Sequence, residues 1–251
     1  MVKPRKYPQA DVKILYGMAA GRCSFEHCRK ELVLHPSKSD EKKQIGKIGH
    51  IIAHSPNGPR FDPKYPKEKL DSYDNWILVC PTCHDTVDVL ASEYSVEYLR
   101  KVKSTHEAWV TEQLDIKMSD VSFAELEIAA IAIASEKNSP NNDFIIIPLE
   151  DKLKKNSLSE KSRFMISLGL SKGGEVSRFL SIIAQADEHF PERLKRGFKD
   201  KYYELSRELS GDALFMGMLE FTYSELTDAV NQAAGLAILS YLFHLCEIFE
   251  K

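Results

Sequence analysis

Hydrophobic and polar positions divide the chain into a front of short elements and a helical rear. Residues 9–20 (QADVKILYGMAA) carry apolar side chains at helical spacing, and Gly21 ends the run. Residues 35–47 are polar and Lys-rich, which predicts a loop, whereas 45–52 (IGKIGHII) alternate as a strand does. Residues 55–66 (SPNGPRFDPKYP) are dense in Pro and Gly and predict a further loop. A helix is expected over 84–90. A longer one is expected from Ser95 to about Leu114, with Glu93 and Glu97 near its positive end. Beyond Lys117 the pattern changes. Residues 122–135 form an Ala/Ile-rich helix, NSPNN (138–142) breaks it, and FIIIP (144–148) is a short strand candidate. Helices then follow over 159–168, 173–187, 191–209, 211–221 and 224–249. The last contains AAGLAILSYLFHLCEIF, apolar on most faces, so it belongs in a core or in an oligomer interface.

Composition bounds this picture without changing it. At 251 residues, 43% hydrophobic and 28% charged, the chain has room for one or two domains with ordinary cores. That excludes disordered and fibrous classes. No apolar run reaches the roughly 18 residues of a membrane span, and MVKPRKYPQADVK lacks the apolar core of a secretory signal, which predicts a cytoplasmic chain. Charge adds an asymmetry. Residues 1–84 hold 15 Lys+Arg and 9 Asp+Glu, a balance of +6, and the remainder hold 19 and 28, a balance of −9. A basic front suits a polyanion such as nucleic acid, and an ordinary solvated surface is the alternative.

Four of the five cysteines form two pairs, Cys23/Cys28 and Cys80/Cys83. In a reducing compartment disulfides are a poor reading. Two close pairs separated by a long insert are the pattern of a four-thiolate zinc site, each pair supplying one edge of a tetrahedron. Four unrelated buried thiols are the other reading. Cys246, in YLFHLCEIF, reads as a buried apolar residue.

Between the pairs lies GHIIAHS, with His50 and His54; Asn75 precedes Cys80 by five residues, and His84 follows Cys83 directly. This order, over roughly residues 20–110, resembles the HNH nucleases of the ββα-metal superfamily, in the subgroup with a structural zinc. GRCSFEHCRKEL, GHIIAHSPNGPR and NWILVCPTCH look particularly similar to HNH domains of bacterial anti-phage effectors. The resemblance implies that His50 is the general base that activates water. It implies that His84 ligates a divalent cation such as Mg2+ and that Asn75 pins the loop and orients the His50 strand. Zn2+ held by Cys23, Cys28, Cys80 and Cys83 would then replace a hydrophobic core. Many HNH enzymes carry Asp immediately before the first His; here that position is Gly49. Asp88, at i+4 from His84, offers a carboxylate on the same helical face, or is a surface residue. His54, substrate phosphates, or a softer ion such as Mn2+ or Ni2+ are other ways to fill the gap.

Arg22, Arg29, Lys30, Lys42, Lys43, Lys47 and Arg60 surround the motif as phosphate-contact candidates, Arg60 foremost as a clamp near the site. Trp76 and Trp109 read as core anchors. No base-reading motif is present, so sequence specificity is not expected. Residues 118–251 carry no ligand cluster, and SKGGE (171–175) is too short for a P-loop. LKKNSLSEKSRFMISLGLSKGGEVSRFL and AILSYLFHLCEIFEK are similar to C-terminal domains in bacterial ABC-three-component systems, which include the Lamassu type. That resemblance implies an SMC-like ATPase partner; a helical dimerisation domain is the plainer alternative.

The expectation is an α+β chain. Residues 1–117 would form a zinc-stabilised ββα-metal nuclease domain, and 118–251 a mostly helical interaction and oligomerisation domain. The implied function is metal-dependent cleavage of double-stranded DNA, restrained by oligomerisation or a partner. A zinc-stabilised DNA-binding module with a degenerate site, or a restriction-type nuclease acting alone, are the competing functions.

Overall fold

The computed structural model describes residues 5–34, 43–134, 149–222 and 228–245. The fold is α+β, with two small two-stranded sheets near the start and helices thereafter. The chain divides into two compact units, Met1–Val110 and Thr111–Lys251. The division falls inside a helix, seven residues before the boundary expected at 117.

In the first unit, α1 (Gln9–Met18) ends where Ala20 and Gly21 adopt left-handed backbone, at φ 48° and 61°. A Cβ on Gly21 would stand 3.1 Å from Val33 Cγ2, so glycine suits both the turn and the space. Val33–Leu34 (β1) pairs antiparallel with Lys43–Gln44 (β2), a hairpin not expected from the polar 35–47 stretch. Lys47–His50 (β3) pairs antiparallel with Trp76–Val79 (β4), placing His50 opposite Trp76 and Gly49 opposite Ile77. The strand is thus shorter than the expected 45–52: pairing runs from Lys47 to His50, after which the Ile51 N–H donates to the Asn75 carbonyl and the Ile52 N–H to the Asn75 side chain. Helix α2 (Pro81–Val89) begins earlier than expected. Cys80 caps it, its sulfur accepting from the Cys83 N–H, and Pro81 occupies the first turn, where a missing N–H costs nothing. Helix α3 (Val96–Met118) follows, with Ser95 accepting from the Tyr98 N–H. Leu15, Phe25, Leu32, Ile51, Trp76–Val79 and Leu99 form the core between these elements.

The second unit is helical: α4 (Phe123–Ile133), α5 (Leu149–Lys155), α6 (Glu160–Leu170), α7 (Gly173–Ala186), α8 (Phe190–Leu205), α9 (Gly211–Thr222) and α10 (Ala229–Leu245). Helix α5 was not expected; the 144–148 strand candidate, Lys42 and Cys246 lie outside the described residues. Helix α10 is the hub and packs against α4, α6, α7 and α9. A Cβ on Gly169 of α6 would lie 2.6 Å from the Leu236 carbonyl oxygen of α10, so only glycine permits this helix crossing. From Ala233 to Leu239 every residue of α10 is buried. This decides between the two places expected for the terminal apolar helix: its described part is the core of its own unit. Buried Lys152 donates to the Phe243 carbonyl at 2.9 Å, near the C-terminal end of α10. Among the described residues no helix is long and apolar enough to cross a membrane.

Candidate functional site

The two cysteine pairs meet. Sulfur atoms of Cys23, Cys28, Cys80 and Cys83 all lie within 4.8 Å of one another, close enough to bind a metal ion and compatible with a structural zinc. Zn–S bonds of about 2.3 Å at tetrahedral corners require S···S edges of about 3.8 Å. Cys28 and Cys80 stand 3.8 Å apart. Local backbone prepares the site. Cys23 N–H donates to the Lys30 carbonyl, and Cys28 and Arg29 N–H both reach the Phe25 carbonyl. Arg29 takes left-handed backbone at φ 47° to complete the turn. The Cys80 N–H donates to the Cys23 sulfur at 3.3 Å, which links the pairs. Burial pushes the Cys23 thiol up to about 11 and raises Cys83 further, so without a metal these thiols stay protonated. Burial also acts to raise Cys80, but hydrogen bonds from the Cys83 N–H and the neighbouring thiols overcome it and lower that group. A metal ion bound here would displace protons from the raised thiols.

The histidine and asparagine between the pairs are brought to one end of the β3–β4 ladder. Asn75 ends a single 3-10 turn, is 1% exposed, and spends its amide fully. Its Oδ1 accepts from Ile52 N–H at 3.0 Å, and Nδ2 donates to the carbonyls of Ile52 at 2.9 Å and Leu70 at 3.0 Å. The chain after His50 is thereby tied to the turn before β4. The His50 side chain is 7% exposed. Its Nε2 lies 3.0 Å from Asp71 Oδ1 and 3.2 Å from the Trp76 indole nitrogen. These contacts exclude each other: a protonated Nε2 donates to Asp71, an unprotonated one accepts from Trp76. A hydrogen bond to a charged group contributes about 1.5–3 kcal/mol against about 1 for a neutral pair. A bare nitrogen lone pair facing a carboxylate would also be repelled, so the Asp71 contact prevails. Burial lowers the His50 pKa, Arg5 and His54 push the same way, and Asp71 pushes back. His50 is therefore neutral near pH 7, as a proton acceptor must be.

Asp71 is the residue that sequence reasoning missed. It lies in LDSYDN, where nothing in spacing separates it from Asp74, and only folding sets it beside His50. Its Oδ2 accepts from the Lys6 N–H at 2.8 Å and faces His54 Nε2 at 3.6 Å. The Tyr7 ring rests against both the Trp76 and His50 rings, with centroids 5.6 and 6.4 Å away.

His84 leaves the first turn of α2 beside β3. A Cβ built on Gly49 would lie 3.8 Å from His84 Cδ2, so the position before His50 does face His84. Asp88 Oδ2 stands 3.7 Å from His84 Nδ1, and Asp85 Oδ1 3.6 Å from the same nitrogen. One imidazole and two carboxylates thus lie together on α2. The four cysteines are the one group of three or more His, Cys, Asp or Glu within metal-binding distance among the described residues.

Arg60 is not free for phosphate. It sits at φ 60°, its side chain 5% exposed, and donates from Nε to the Ile51 carbonyl at 3.0 Å. One terminal nitrogen reaches the carbonyls of Val87 and Tyr94, and the other meets Asp88 at 3.3 Å. The expected phosphate clamp is instead a strap joining the loop after β3 to α2. Arg22 and Arg29 are similarly engaged: Arg22 donates to the Arg29 carbonyl, and Arg29 to the Ser24 carbonyl while lying 4.3 Å over Trp109. Lys30, Lys43 and Lys47 are exposed. Trp76 is fully buried, as a core anchor should be, whereas Trp109 is half-buried and stacks on His106. No family model matches the chain, and no curated protein matches it.

Proposed function

We propose that the first unit is a metal-dependent endonuclease that hydrolyses phosphodiester bonds in double-stranded DNA. The observation that carries the reading is that Asn75 ties the segment after His50 to the turn before β4, while position 49, next to His50, faces His84 on α2, in a unit that also holds a four-cysteine cluster. Neutral His50 takes the proton of the attacking water. Asn75 holds the His50 segment through its three hydrogen bonds. His84 with Asp88 would hold a divalent cation, which when bound neutralises charge on the phosphate and leaving oxygen. Zn2+ on the cysteines would lock the fold in so small a unit. Exposed Lys30, Lys43 and Lys47 supply the sequence-independent phosphate contacts.

The second unit serves control. An unrestrained nuclease would damage its own cell, and we read the helical unit as the part that couples activity to self-assembly or to an SMC-like ATPase partner in anti-phage defence. Because the described part of α10 is consumed in its own core, the contact between copies falls to other helices. One observation favours a second reading. Gly49 puts no carboxylate beside His84, so the unit would bind DNA without cutting it.

Plasmid nicking with Mg2+, Mn2+ and Ni2+, comparing the wild type with His50→Ala, separates the two. Cleavage that depends on His50 supports the nuclease. DNA binding with no cleavage under any metal supports the binding module.

A further inference from the structure

The geometry points to Asp71 as the positioning residue for His50: it holds Nε2 in the protonated form and leaves Nδ1 as the nitrogen that takes the proton from water. The inference rests on the reading of His50 as general base.

Three observations carry it. Asp71 Oδ1 stands 3.0 Å from Nε2, within hydrogen-bond distance, on a side chain 16% exposed. The carboxylate is itself anchored, since Oδ2 accepts from the Lys6 N–H at 2.8 Å. Its free oxygen is therefore presented at a set place rather than on a swinging side chain. Finally, the competing neighbour of Nε2 is the Trp76 indole, which can only donate. It would stabilise the opposite tautomer, with the proton on Nδ1 and no lone pair there for water. The carboxylate and the indole thus select opposite tautomers, and the anchored charge decides.

The proton path balances. Water gives a proton to Nδ1, its oxygen attacks phosphorus, and the bond from phosphorus to the 3′-oxygen breaks. The leaving oxygen takes a proton from solvent, and the imidazolium returns one to solvent. In the imidazolium the Nε2–H still faces the Asp71 carboxylate, which stabilises the charge formed. The ionisable groups acting on the ring are Asp71, His54 and Arg5. Asp71 opposes the other two, so the carboxylate also keeps the ring from becoming too weak a base.

The test is long-range proton–nitrogen NMR on the full zinc-loaded chain with labelled histidine rings, His50 being assigned by difference with His50→Ala. The wild type should show His50 as the Nε2–H tautomer. Asp71→Asn should move it toward Nδ1–H, because the amide can donate to Nε2. Nicking should fall about 10- to 100-fold, a share of the roughly 10²–10⁴ that a general base contributes. The acid limb of residual activity should shift to lower pH, a change that a merely structural residue would not cause. A wild-type ring in the Nδ1–H form, in a chain whose nicking needs His50, overturns the Asp71 assignment alone. An Asp71→Asn chain with unchanged tautomer and rate does the same. Wild-type nicking by His50→Ala overturns the nuclease reading beneath it. Should Asp71→Asn not fold, the wild-type spectrum still decides.

Discussion

Replacing Asn75 with alanine removes three hydrogen bonds at once and leaves the Ile52 N–H, the Ile52 carbonyl and the Leu70 carbonyl without this partner. The side chain is buried, so water cannot substitute without opening the loop. At about 1 kcal/mol net per bond the loss is about 3 kcal/mol, and more if the orphaned groups stay dry. Both tryptophans, Trp76 and Trp109, lie in the first unit, so their fluorescence reads that unit within the full chain. With a urea dependence of about 1.5 kcal/mol per molar, the first-unit midpoint should fall by about 2 M. Zinc must be held saturating in both proteins, since bound metal adds stability by mass action. Asn75→Asp is the stringent companion. It keeps the acceptor for Ile52 N–H but sets a carboxylate against two carbonyls, so it should be no more stable than Asn75→Ala. A midpoint shift below about 0.5 M, or a fully stable Asn75→Asp, would refute the assignment of Asn75 as the loop's anchor.

Further outcomes follow from the same geometry. Arg60→Ala should destabilise the first unit by about 2–4 kcal/mol, because it removes the hydrogen bonds to the Ile51, Val87 and Tyr94 carbonyls, and Arg60→Lys should not rescue it. Lower DNA affinity at an unchanged urea midpoint would restore Arg60 as a phosphate contact. Gly49→Asp should raise Mg2+-dependent nicking, since the new Cβ needs only a small shift of Ile77 Cγ2, at 3.2 Å, and faces His84. No gain with any metal would disconnect position 49 from the cation. Nicking by the wild type should be sustained below pH 6.5, the ordinary histidine value, because burial lowers the His50 pKa. The matching stability term is complete above that ordinary value and is lost as pH falls through the folded pKa. An acid limb centred above pH 6.5 would contradict this. Elemental analysis should find one zinc per chain, and Cys80→Ser should abolish the folded tryptophan signal; a stably folded, metal-free protein would remove zinc from the account.

Much of the first unit is legible before folding. The two cysteine pairs announce a metal cluster because thiolate ligands must come in short-range pairs to fix tetrahedral edges. The Pro/Gly-dense 55–66 stretch announces a loop, and the helix after Ser95 carries its own start signal. The β1–β2 hairpin was hidden because its strands are two residues long and its partner stretch is polar. Arg60 misled because charge at a loop tip reads as solvent-facing. Its left-handed backbone instead turns the guanidinium inward onto three carbonyls.

The amino-acid sequence by itself determined the kinds and spacing of ligands, the helical rear, and the apolar character of the last helix. These are local properties, set by side-chain chemistry and periodicity. Tertiary structure alone decided which carboxylate meets His50, which arginine is consumed as a strap, and whether α10 faces its own core. Each depends on chain segments tens of residues apart arriving within 3–4 Å. Asp71 stands beside His50 because β4 folds back on β3 and Asn75 ties the intervening loop. No spacing along the chain encodes that distance; packing does.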